Sequence, residues 1–95
     1  MSKCSTIEVG KRLEALRKVK NLGSQKNMAD LIGVKTNRLN NWETGYGLIP
    51  VPEAIKICGI TGANLDYIYR GDLSSLPGNL VIMLSSFDLA LGQSS

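Results

Sequence analysis

Helix-stopping residues recur along this chain at short intervals. Asn21-Leu22-Gly23, Gly33, Gly45, Pro50 and Gly71 each follow or precede a stretch whose apolar residues repeat at helical spacing. No stretch alternates convincingly as a strand would. The expectation is an all-α chain of five or six short helices.

The first helix is predicted over Thr6–Lys20, with Ser5 and Glu8 at capping-box spacing. Val9, Leu13, Leu16 and Val19 share its inner face, and Arg17 lies at the edge. The second is predicted over Gln25–Ile32 with Ser24 as N-cap and Gly33 as a left-handed stop. Met28, Ala29, Leu31 and Ile32 form its apolar side. The third lies in KTNRLNNWE, residues 35–43, and ends at Gly45. The fourth starts after Pro50, with Pro52 in its first turn and Ala54, Ile55 and Cys58 turned inward. The fifth is predicted from Leu65 to Arg70, capped by Asn64 and stopped by Gly71. A sixth segment, residues 80–91, reads LVIMLSSFDLAL.

Composition narrows the function. Residues 1–45 carry nine Lys/Arg against four acids, whereas residues 46–95 carry two against four. A basic half suits a polyanionic partner. There is no histidine, and Cys4 and Cys58 form no CxxC pair, so neither a metal site nor a cofactor is expected. Two free thiols fit a reducing cytoplasm. No clustered carboxylates or Cys/His pair suggest an enzyme. No apolar run is long enough to span a membrane, and no signal peptide is recognisable.

The third segment carries the chemistry. On a helical wheel Leu39 and Trp42 point one way, into the core. Asn37, Asn40 and Asn41 point nearly opposite, with Thr36 and Arg38 at the margins. This outer face is rich in amides and almost free of acid. An asparagine side chain offers one donor and one acceptor, the pair that adenine presents in the major groove, and threonine offers a hydroxyl or a methyl. A polar outer face is also what any amphipathic helix carries. The context favours base reading: residues 24–45, SQKNMADLIGVKTNRLNNWETG, make a short helix, a glycine turn and a second short helix.

These residues resemble the lambda-repressor/Cro (XRE) family of helix-turn-helix DNA-binding domains. The resemblance rests on Leu16-Arg17, Gln25, Met28-Ala29, Ile32-Gly33-Val34, Trp42-Glu43, Gly45, Pro52 and Leu65-Asp66-Tyr67-Ile68-Tyr69, in that order. It covers about residues 7–71. It implies a five-helix DNA-binding domain over residues 1–75, followed by a C-terminal apolar helix or tail over 76–95. The implied function is a transcriptional regulator, most simply a repressor, that reads a double-stranded operator. By the same resemblance, Thr36, Asn37 and Asn41 reach base edges, with Asn40 a further candidate. Gln25 holds a phosphate at the start of the second helix, and Lys26, Lys35, Arg38 and Tyr46 complete the phosphate set. Arg17 and Glu43 match a salt bridge that ties the first helix to the recognition helix.

The sequence departs from the family pattern in three places. An extra residue lies around Asn21–Gly23. Lys35 stands at the N-cap of the third helix, where Ser or Thr is common, so the helix is expected to start at Thr36. The loop Thr44–Leu48 is poor in Lys and Arg, which leaves phosphate contact there to backbone N–H groups or Tyr46. In the last segment Leu80, Met83, Leu84, Phe87 and Leu91 form one stripe, and Ile82 and Leu89 a second. Two apolar sides suit two partners, the chain's own domain and a second copy; the stripe of Leu80, Met83, Leu84, Phe87 and Leu91 is assigned to the second copy, and a homodimer is expected. The competing expectation is an antitoxin-like module that uses the same scaffold to bind another protein. No small-molecule ligand is suggested.

Overall fold

The computed structural model describes residues 5–92, with side chains as far as Phe87. Six helices follow one another: α1 (Thr6–Val19), α2 (Gln25–Ile32), α3 (Thr36–Thr44), α4 (Val51–Thr61), α5 (Leu65–Arg70) and α6 (Gly78–Gly92). No strand occurs among the described residues, so the chain is all-α as expected.

Local chemistry sets the ends of these helices. The Ser24 hydroxyl accepts from the Asn27 N–H, and the Asn64 side chain accepts from the Tyr67 N–H. Ser5 accepts from the Glu8 N–H in the same way, but among the described residues no bond joins the Glu8 carboxylate to the Ser5 N–H. The Glu8 carboxylate is drawn instead to Arg12, one turn on, at 3.3 Å. Between α2 and α3, Gly33 has φ +77°, and the Val34 N–H reaches back to the Ala29 carbonyl. That left-handed residue closes the helix in the space of a single turn, which a Cβ would oppose. Lys35 occupies the N-cap of α3 without any side-chain cap bond, and the helix starts at Thr36 as expected.

α1 is the central element and packs against α3, α5 and α6, while α2 rests on α3 and α4. One cluster of buried side chains runs from Val9, Leu13 and Leu16 on α1 through Met28, Ala29, Ile32, Leu39 and Trp42 to Ile57, Ile68, Leu80 and Leu84. A fully buried aliphatic side chain of this kind contributes about 1.5–3 kcal/mol relative to an exposed one. Tyr69 ties α5 to the loop before α4 by donating its hydroxyl to the Ile49 carbonyl at 2.6 Å.

Two expected faces are corrected. On α4 the core receives Ala54, Ile57 and Thr61, whereas Ile55 is 55 % exposed. Apolar residues surround this helix, so its pattern does not select a face; packing on α2 and α5 does. On α2 Leu31 lies outside the buried arc of Met28, Ala29 and Ile32 and is half exposed. α6 begins at Gly78, two residues before the apolar run. Leu80 and Leu84 are buried against the rest of the domain, with Met83 and Phe87 half-buried. Leu89 and Leu91 lie outside the described side chains.

Candidate nucleic-acid interface

α3 presents its polar face outward because Leu39 and Trp42 are consumed by the core. Thr36, Asn37, Asn40 and Asn41 are all exposed, as are Lys35 and Arg38. Among the described residues neither Asn37 nor Asn41 uses its side chain in an internal hydrogen bond, so each keeps a free donor and a free acceptor. Thr36 opens the helix, next to the α2–α3 turn. The Arg38 guanidinium lies over the Trp42 ring, 5.2 Å from its centroid, which limits how that long side chain spreads over the surface. Tyr46 is 88 % exposed in the loop after α3. Lys26 is exposed at the start of α2 and pairs with Asp30 at 3.0 Å, a surface contact of small energetic weight.

Beneath this face lies a polar clamp. Arg17 and Glu43 meet in a two-point ion pair, with Nε to Oε2 and Nη2 to Oε1 both at 2.9 Å. The third arm of the guanidinium, Nη1, donates to the Gly23 carbonyl at 2.8 Å. One arginine therefore joins α1, the α1–α2 loop and α3. The Glu43 hydrogen bond is the main reason why the Arg17 pKa is raised above its ordinary value, against the opposing effect of burial. The α1–α2 loop turns through two left-handed positions, Asn21 and Gly23. The Asn27 amide, which donates to the Leu22 carbonyl, holds that loop against α2.

Gln25 reaches into the same clamp. Its Nε2 donates to Glu43 Oε1 at 2.9 Å and to Asn40 Oδ1 at 3.2 Å. Both N–H groups of the amide are thus used within the protein. The first N–H groups of α2, those of Gln25 and Lys26, have no partner within the helix, as at any helix N-terminus.

Three residues that border this arrangement carry no clear signal in the sequence. Gly10 lies where α1 crosses α3: a Cβ there would fall 2.4 Å from the Glu43 carbonyl oxygen and 2.5 Å from that of Trp42. Nothing but a hydrogen fits, so the two helices touch backbone to backbone. Lys56 on α4 donates to the Ile32 carbonyl at 3.3 Å, covering the C-terminal end of α2 beside the turn. Glu53, also on α4, lines a shallow groove with Gly33, Val34, Lys35, Asn37, Arg38 and Asn41. It places one carboxylate beside the amide face. Glycine within a helix was the only available signal for Gly10; Lys56 and Glu53 carried none, because their partners lie on other elements.

A family model described as helix-turn-helix, HTH_3, matches residues 13–68. No curated protein and no solved structure matches the chain. The matched span runs from the middle of α1 into α5 and contains the turn, the recognition helix and the Arg17–Glu43 clamp. The chain belongs to this family of XRE-type, lambda-repressor/Cro-like helix-turn-helix domains, whose members are DNA-binding regulators.

Proposed function

We propose that the chain is a sequence-specific transcriptional repressor that acts by occupying a double-stranded operator in the cytoplasm. The observation that carries this reading is the exposed row of Thr36, Asn37 and Asn41 on a helix clamped from behind. Preorganised donors and acceptors on a rigid helix suit base edges in the major groove. Asn37 and Asn41 are assigned to adenine or to bases with an equivalent donor–acceptor pair, and Thr36 to the base nearest the turn. Lys26, Lys35, Arg38 and Tyr46 are assigned to the flanking phosphates. Because the loop Thr44–Leu48 brings no Lys or Arg to add to these three cations, general affinity for DNA is expected to be modest and specificity to depend on the amides.

The test is selection of bound duplexes from a random pool at fixed salt, with wild type beside Asn37→Ala/Asn41→Ala. The proposal expects wild type to enrich a two-fold motif and the double variant to lose it while keeping weak general binding. Enrichment of the same motif by both proteins would refute the assignment.

A homodimer suits a two-fold operator. Of the residues first assigned to its contact, Leu80 and Leu84 are spent on the monomer's own core. The face of α6 left for a second copy centres on Ile82, 67 % exposed and flanked by half-buried Val81 and Met83. Ile82→Glu should then yield monomers in sedimentation without unfolding the chain; unchanged dimers would remove α6 from the interface. A protein-binding, antitoxin-like role is favoured by a different observation, the exposed Leu48, Val51 and Ile55 along the start of α4. Stable co-purification with a second protein, lost in Ile55→Glu, is the outcome that reading requires.

A further inference from the structure

We infer that Asn40 holds a backbone phosphate and does not read a base, because the buried Glu43 carboxylate decides which end of the Asn40 amide faces outward. This rests on the DNA-binding reading above.

The inference follows a chain of hydrogen bonds whose direction is set at its buried end. The Glu43 side chain is 3 % exposed and bound by Arg17, so it is an ionised carboxylate that only accepts. The Gln25 amide lies against Glu43 Oε1 at 2.9 Å and must therefore present its NH2 group there, not its carbonyl. The second hydrogen of that NH2 points to Asn40, 3.2 Å away, and only the Asn40 carbonyl oxygen can receive it. With Oδ1 turned inward, Asn40 shows its NH2 group to solvent. One buried charge thus orients two amides in series, and the last of them ends in donors.

That orientation separates Asn40 from its neighbours. Recognition of adenine by asparagine needs a donor and an acceptor side by side. Asn37 and Asn41 keep both, but the Asn40 acceptor faces Gln25. A donor-only edge fits an acceptor-only partner, and a phosphodiester oxygen is the one DNA offers at every position. The location agrees: Asn40 is joined through Gln25 to the first residue of α2, where unpaired backbone N–H groups and the helix dipole favour an anion. Lys26, exposed at the same helix end, pairs only with the solvent-exposed Asp30 and can swing to an anion there.

The experiment repeats the duplex selection with the full chain carrying Asn40→Ala or Asn40→Asp, with thermal melts to confirm that both variants fold. The Asp side chain still accepts from Gln25 but turns an anion outward. A lost hydrogen bond to a charged group corresponds to about a tenfold loss or more. Asn40→Ala should enrich the wild-type motif unchanged and bind every duplex about tenfold more weakly. Asn40→Asp should bind more weakly still. A change of base preference at one motif position in Asn40→Ala, or wild-type affinity in Asn40→Asp, overturns the assignment. A wild-type chain that enriches no motif overturns the DNA-binding reading itself, and this assignment with it.

Discussion

Replacing Gly10 by alanine should damage the protein out of proportion to the single methyl it adds. In an unhindered helix interior, glycine to alanine stabilises by up to about 1 kcal/mol, because the chain gives up less freedom on folding. At Gly10 the new Cβ would lie 2.4 Å and 2.5 Å from two carbonyl oxygens of α3. Even a close C–H···O contact keeps carbon and oxygen about 3.3 Å apart, so α1 and α3 would have to separate by roughly 1 Å. Both oxygens belong to backbone, which no rotamer change can move. Overpacking of this kind costs about 1–3 kcal/mol. The same displacement would stretch the two 2.9 Å bonds between Arg17 and Glu43, which bridge the same two helices. The propensity gain offsets only part of this. A net loss of about 2 kcal/mol is expected, or roughly 10 °C in Tm for a domain of this size. Urea unfolding followed by fluorescence of Trp42, the one tryptophan, measures it directly. Gly59→Ala is the control: Gly59 sits exposed within α4 with nothing within 4 Å of a Cβ, so alanine there should leave the protein as stable or more so. If Gly10→Ala raises the urea midpoint as Gly59→Ala does, then α1 and α3 do not meet backbone to backbone, and the placement of the recognition helix argued above is wrong.

Other outcomes follow from the same structure. Arg17→Met leaves the buried Glu43 carboxylate without its guanidinium, and the expected cost in urea unfolding is about 3–5 kcal/mol. Replacing both partners, as in Arg17→Met/Glu43→Leu, should cost less than the single change, since no lone charge remains buried; a worse double variant would contradict this. Asp72, in the turn before α6, accepts from the Ser74 backbone N–H at 3.0 Å and from its hydroxyl at 2.7 Å, and these bonds, the backbone one foremost, hold its pKa below the usual carboxylate range. The folded value is depressed, so these bonds contribute fully above the unfolded pKa and are lost as pH falls through the depressed one. The Ser74 amide resonance should titrate with a midpoint below that of an ordinary aspartate, and Asp72→Asn should abolish the titration.

The helix boundaries were readable because their causes are local. Ser24 and Asn64 cap their own helices, and Gly33, Gly45 and Gly71 stop theirs with left-handed backbone. The outer face of α3 was readable for a related reason. Leu39 and Trp42 are the only large apolar residues in Thr36–Thr44, so burying them leaves the asparagines no other direction. α4 and α6 gave no such clue. Each is apolar on most sides, and which residue goes inward depends on the neighbour it meets. Hence Ile57 is buried while Ile55 is exposed, and Leu80 and Leu84 complete the monomer's own core.

What the amino-acid order could not disclose are contacts between residues whose nearness is created by folding. Gln25 and Asn40 are 15 positions apart, and Lys56 and Ile32 are 24 apart. Gly10 meets Trp42 and Glu43 only because α1 and α3 cross at that point. Periodicity assigns a residue to a face of its own helix, but it says nothing of what another helix brings to that face. The sequence by itself therefore determined the helices, the turn and the row of amides on α3. Tertiary structure alone decided how far those amides are free. Asn37 and Asn41 face solvent with both donor and acceptor available, while Asn40 is oriented through Gln25 by a carboxylate buried beneath it.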